Sequence, residues 1–168
     1  MQGPSLVSRS VEHQSHLKRL GAKSASEFAR SPKCQRLRSI DPSMLSHNFR
    51  KATQDLTQGQ ASLLVQLRSG HVPLQKYLHK IGKANSPTCP ACRAHDETVH
   101  HYLLTCPAYR IQRGELERTL RRAAQTIRTV LANPKAFPHL FRYVNATRRF
   151  RRASEDEQQG TTQPTLQT

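Results

Sequence analysis

Three of the four cysteines fall within 18 residues, as Cys89-Pro-Ala-Cys92 and then Cys106, with His95, His100 and His101 between them. Two thiolates separated by two residues point into one tight turn, and two more donors nearby complete the tetrahedral shell that zinc prefers. The set needs one histidine. His101 gives C-x2-C-x8-H-x4-C, whereas His100 gives C-x2-C-x7-H-x5-C. Asp96, Glu97 and Thr98 read as the start of a short helix through Leu104, which puts a histidine late in its first turn and a cysteine at its end. The expected ligands are Cys89, Cys92, His101 and Cys106, with His100 the alternative. Three thiolates and one imidazole close the shell and leave no position for water, so the expected zinc is structural rather than catalytic.

Competing uses of these cysteines fit less well. A Cys89/Cys92 redox pair belongs beside a strand-helix unit of thioredoxin type, and no strand is readable here. A disulfide framework belongs to an oxidising compartment, and the N-terminal MQGPSLVSRS has no apolar signal region, so the chain is expected inside the cell. Cys34 stands alone, about 55 residues upstream of Cys89, and reads as a structural or incidental thiol. His13, His16, His47, His71, His79 and His139 show no metal spacing and read as surface or packing residues.

The elements that must position this site are helical. Leu74, Tyr77, Leu78 and Ile81 recur at i, i+3, i+4 and i+7, and Leu63, Leu64 and Leu67 do the same one segment earlier. Gly70, His71, Val72 and Pro73 supply a stop and a new start, which predicts a hairpin of two helices over 58–69 and 74–81. A long helix is expected from Pro107 through Leu116, Leu120, Ala123, Ile127 and Leu131 to a stop at Asn133-Pro134, weakened at Gly114 by up to about 1 kcal/mol. Residues 10–30 and about 43–55 also read as helices. The fold class expected is mainly α: a small irregular helical assembly with one structural zinc knuckle, a long C-terminal helix and a disordered tail.

Composition sets what this assembly can do. The chain has 168 residues, 27 Lys or Arg against 11 Asp or Glu, and a net charge of +16. Leu, Ile, Val and Phe number 34, about 20%, which is at the edge of what supports a packed core in so charged a chain. All 27 cations lie at or before Arg152 and Glu155, Asp156 and Glu157 lie after it, so residues 1–152 carry +19. Residues 153–168 have almost no apolar side chains and read as a disordered acidic and polar tail. No apolar run is long enough to span a membrane. Such a charge calls for a polyanion: RNA or DNA comes first, bound electrostatically with weak sequence preference, although an anionic membrane surface carries the same charge requirement. The expected phosphate contacts are Arg110, Arg113, Arg118, Arg121, Arg122 and Arg128 on the long helix, with Arg142, Arg148, Arg149, Arg151 and Arg152 beyond it. Tyr102 and Tyr109 are able to stack on bases, but packing beside the metal is favoured in a chain with so few aromatics.

The stretches Gln60–Leu74, Ser86–Cys92 and Glu97–Pro107 resemble the reverse-transcriptase zinc-binding segment that follows the ribonuclease H domain in polyproteins of fungal LINE-type (non-LTR) retrotransposons. The matching pattern is Leu67-Arg68-x-Gly70-His71 at a helix end, then C-x2-C, then Glu97-Thr98-x-x-His101 with Cys106 five positions on. Tyr143-Val-Asn-Ala-Thr147 followed by Arg148-Arg149-Phe150 is similar to the family's end, so the likeness spans about residues 10–152 and is strongest over 60–107. The resemblance implies His101 and Cys106 as ligands. With the tail at 153–168 read from composition, the resemblance divides the rest into 1–57, a helical linker after a lost ribonuclease H domain, and 58–152, the hairpin, zinc module and basic helices.

The chain departs from such polyproteins where catalysis is concerned. A ribonuclease H site clusters about four carboxylates around two magnesium ions. Here Glu12, Glu27, Asp41, Asp55, Asp96, Glu97, Glu115 and Glu117 are scattered over expected helices, and no polymerase Asp-Asp pair exists. The chain therefore looks like a detached, non-catalytic C-terminal fragment whose partners are nucleic acid and other parts of the polyprotein. Two functions follow as expectations: a zinc-stabilised nucleic-acid-binding module, or an interaction piece whose 58–81 hairpin once packed on the polymerase or ribonuclease H domain.

Overall fold

The computed structural model describes residues 9–42, 47–121 and 126–150. The chain is mainly helical and has no strand among the described residues, only an isolated antiparallel bridge between Thr88 and Asp96. It divides into two compact units, with the boundary between Ser69 and Gly70. That boundary falls inside the 58–81 segment, at the residue read as a stop: Gly70 has φ 80°, a backbone conformation in which glycine carries no Cβ penalty.

The first unit contains α1 (Arg9–Arg30), a 3-10 turn at Pro32–Cys34, α2 (Gln35–Ile40), α3 (His47–Thr53) and α4 (Gln58–Ser69). Helix α4 begins with a reciprocal cap. Thr57 N–H donates to Gln60 Oε1 at 3.0 Å and Gln60 N–H donates to Thr57 Oγ1 at 3.2 Å. Helices α2 and α4 pack together, and Ile40, Leu64, Leu67 and Phe28 are buried. Here Asp41 and Arg68 form a buried ion pair at 3.0 Å, and the Arg68 guanidinium lies 4.6 Å from the centre of the Phe49 ring. Helix α2 was not visible in the sequence pattern, because six residues with only Leu37 and Ile40 apolar give no period to read.

The second unit contains α5 (Gln75–Lys80), a wide π turn at His101–Thr105, a 3-10 turn at Pro107–Tyr109, α6 (Arg110–Leu120), α7 (Ile127–Ala132), a 3-10 turn at Pro134–Ala136 and α8 (Phe137–Thr147). The long helix expected from Pro107 to Leu131 is therefore broken. Helix α6 ends at Leu120, Arg121 takes φ 50°, and α7 restarts after Thr126, whose hydroxyl accepts from Thr129 N–H at 3.3 Å. Packing explains the break. Both α6 and α7 pack on α8, which at 11 residues is only about 16 Å long, whereas one helix over the whole span would run roughly 39 Å. Leu116 of α6, Val130 and Leu131 of α7, and Phe137, Leu140, Phe141 and Val144 of α8 are all buried.

Ala123, Arg122, Arg151, Arg152 and the tail expected over 153–168 lie outside the described residues, as do residues 43–46 of the helix expected near 43–55. No helix among the described residues is long and apolar enough to cross a membrane.

Candidate metal centre

Cys89 and Cys92 sit at the tip of a short looped-back ribbon. Its arms are tied by Cys89 N–H to the His95 carbonyl and Glu97 N–H to the Pro87 carbonyl, both at 2.8 Å. Within the tip Arg93 N–H returns to the Cys89 carbonyl at 2.8 Å, and Arg93 takes φ 56° to make that turn. The ribbon presents both sulfurs to one side.

His101 and Cys106 come from the wide turn that follows. Thr98 starts it, its Oγ1 accepting from His101 N–H at 2.9 Å. It ends with Cys106 N–H bonded to the His101 carbonyl at 2.8 Å, a five-residue closure rather than the four-residue closure of an α-helix. This geometry matters for the ligand spacing. On an α-helix, residues five apart point about 140° away from each other. The wider turn brings them onto the same side, so His101 and Cys106 face the ribbon together.

The donor atoms of Cys89, Cys92, His101 and Cys106 all lie within 4.8 Å of one another, and this group can hold one metal ion. Cys89 Sγ and Cys106 Sγ are 3.9 Å apart, and Cys92 Sγ is 3.4 Å from His101 Nε2. A tetrahedral ion bonded at about 2.3 Å to sulfur and 2.0–2.1 Å to nitrogen separates its ligands by about 3.8 Å and 3.5 Å respectively, so the donor set fits. All four cysteines are free thiols. Cys34 is not in the cluster, and His100 is exposed, which resolves the choice left open by spacing in favour of His101.

Electrostatics suits a cation. Burial pushes the Cys89 thiol up to about 11, so its thiolate requires a positive charge alongside. Cys92 is shifted the other way, chiefly by the backbone N–H of Ala94. Burial, with His95 next, lowers His101 and favours the neutral imidazole that binds metals. Thr105 Oγ1 lies 3.4 Å from His101 Nδ1, where it fixes the ring with Nε2 toward Cys92.

The supports of the centre were partly missed in the sequence. Glu97, fully buried, accepts from Gln75 N–H at 2.7 Å and from Arg149 Nε and Nη2 at 2.6 Å each. Arg148 in the left-handed region at the end of α8 turns the chain so that Arg149 reaches it. Arg113 is buried, donating to the Cys106 carbonyl at 3.0 Å and to Glu117 Oε1 at 3.1 Å. Arg113 and Arg149, expected on phosphates, are thus corrected: each serves a carboxylate and braces the centre. Only the Glu-Thr-x-x-His pattern hinted at Glu97, and nothing local marked its partner 52 residues away.

Of the other arginines expected on phosphates, Arg110, Arg118, Arg121, Arg128, Arg142 and Arg148 are exposed, and Arg142 pairs with Glu115. Tyr102 is buried, its hydroxyl 2.7 Å from Thr147 Oγ1 and its ring 5.6 Å from Tyr109, 5.3 Å from Tyr143 and 5.3 Å from Phe150. The tyrosines therefore pack beside the centre, as their scarcity suggested. The chain matches no protein-family model, no curated protein and no solved structure.

Proposed function

We propose that the chain is a zinc-stabilised, basic nucleic-acid-binding accessory module, derived from a non-LTR retrotransposon reverse-transcriptase polyprotein and acting inside the cell without catalytic residues of its own. The retrotransposon origin rests on the sequence resemblance. Zinc is favoured by the donor set, since three thiolates and an imidazole in a closed tetrahedron suit it better than oxygen-seeking ions. When bound, zinc supplies folding free energy, about 10–16 kcal/mol in small zinc-dependent folds at neutral pH, to a unit with a modest core.

The observation that carries nucleic-acid binding is charge left unmatched. In the second unit every described acid is already paired: Asp96 with Lys76, Glu97 with Arg149, Glu115 with Arg142 and Glu117 with Arg113. Arg110, Arg118, Arg121, Arg128 and Arg148 are exposed beside them and remain for phosphates. Cys89, Cys92, His101 and Cys106 form the one metal-capable group among the described residues.

Binding to RNA or DNA should weaken steeply with salt, with a slope of about −0.7 to −0.9 in log K against log salt per neutralised phosphate. Replacing Arg110, Arg118, Arg121 and Arg128 together by Gln should make the slope shallower by about three units. Affinity independent of salt, or absent at low salt, would reject the proposal. The interaction-piece reading on residues 58–81 is less favoured, because Leu64, Leu67 and Leu74 are already buried there.

A further inference from the structure

Away from the metal centre, a recess of about 140 Å³ opens between α6 and α8, lined by residues that include Gln112, Arg118, His139 and Tyr143. Two of its lining side chains carry a buried polar atom with no hydrogen-bond partner, Gln112 Oε1 and His139 Nδ1. Leaving such atoms unmatched is costly, and unmatched atoms beside a recess point to a ligand that completes them. Both sit on terminal torsions with broad wells, so a small swing turns the carboxamide and the imidazole into the opening. Ile111, also lining it, is 87% exposed.

We propose that this recess takes one unstacked pyrimidine base of a single-stranded nucleic acid. The inference rests on the nucleic-acid-binding reading and names what that surface recognises. Size suits one ring: a closed cavity of about 150 Å³ is known to hold one benzene ring, so this recess seats a single six-membered ring, and a fused purine leaves its second ring outside. Chemistry agrees. A pyrimidine edge offers adjacent donor and acceptor groups, an N–H for Gln112 Oε1 and a carbonyl or N–H for His139 Nδ1, which is able to accept or donate. The ring face meets Ile111. Arg118 lines the same opening and is exposed, with its Nε donating to the Gly114 carbonyl at 3.3 Å, which leaves its terminal nitrogens for the adjoining phosphate.

The test uses the full, zinc-loaded chain with oligo-uridine, oligo-adenosine and an abasic oligomer of equal length at one salt concentration. Oligo-uridine should bind about three- to tenfold tighter than the abasic strand, the worth of one or two net hydrogen bonds. Gln112→Leu should remove that advantage. So should Ala146→Phe, which fills the recess from an exposed position and carries the test if Gln112→Leu fails to fold. Neither variant should alter the salt slope. In the wild-type chain, uridine monophosphate should shift the His139 ring resonances and adenosine monophosphate should not. Equal binding of all three strands with the salt slope intact would overturn the recess and leave the module reading standing, as would a uridine preference that survives Ala146→Phe. No binding to any strand at low salt would overturn both.

Discussion

Replacing Glu97 by Gln tests the bracing of the metal centre. The substitution keeps shape and an acceptor for Gln75 N–H, but removes the charge that Arg149 meets with two hydrogen bonds. Breaking a buried pair by removing one partner costs about 3–5 kcal/mol. The Arg149 side chain retains 18% exposure, so water recovers part of the loss, and the lower end applies, about 3 kcal/mol. Arg149→Met leaves the fully buried Glu97 carboxylate with the Gln75 N–H alone, which should cost more, about 4–5 kcal/mol. The double variant should fall short of the summed losses by at least about 2 kcal/mol, because the pair acts as a unit. Urea unfolding of the zinc-saturated protein reads these values as shifts of midpoint at constant slope. Arg149→Met should also leave the salt dependence of nucleic-acid binding unchanged. A Glu97→Gln loss below about 0.5 kcal/mol, or strict additivity, would refute the bracing role.

His101→Ala should weaken metal binding far more than His100→Ala, measured by competition with a chelator, and the reverse order would move the ligand by one residue. Arg93 holds φ 56° at the ribbon tip, so Arg93→Gly should be between neutral and about 1 kcal/mol stabilising, whereas Arg93→Val should cost about 1–2 kcal/mol in thermal unfolding. Burial raises Tyr102 and Tyr143 above their ordinary value of 10.0. The unfolded chain therefore releases these protons first, and stability should fall above about pH 10 by up to 1.4 kcal/mol per pH unit for each tyrosine. Phenolate absorbance should rise together with unfolding, and tyrosines that titrate freely in the folded protein would contradict their burial.

The ligand set was legible because its information is local: two cysteines in one tight turn and a histidine five residues before a third. Helices α1 and α4 were legible for a similar reason, in their stop signals and, for α4, in its apolar period. What sequence could not supply was partner choice across the chain. Arg113 and Arg149 look like any other arginine in a basic stretch until Glu117 and Glu97 are placed beside them. The break after Leu120 carries neither Gly nor Pro at or next to Arg121, so no residue type there marks it in the sequence. The wide turn at His101–Thr105 stands where the capping residues predict an ordinary helix, although the H-x4-C spacing itself requires a closure that keeps residues five apart on one side.

Native mass spectrometry of the purified chain, set against the same sample after acid and chelator, is the most direct test of the metal-centred account. One zinc per chain should be present in the wild type and in Cys34→Ser, and absent from Cys92→Ser, with loss of metal accompanied by loss of helical circular dichroism. A folded wild-type chain free of metal, or a disulfide between any of Cys89, Cys92 and Cys106 in its place, would contradict the account.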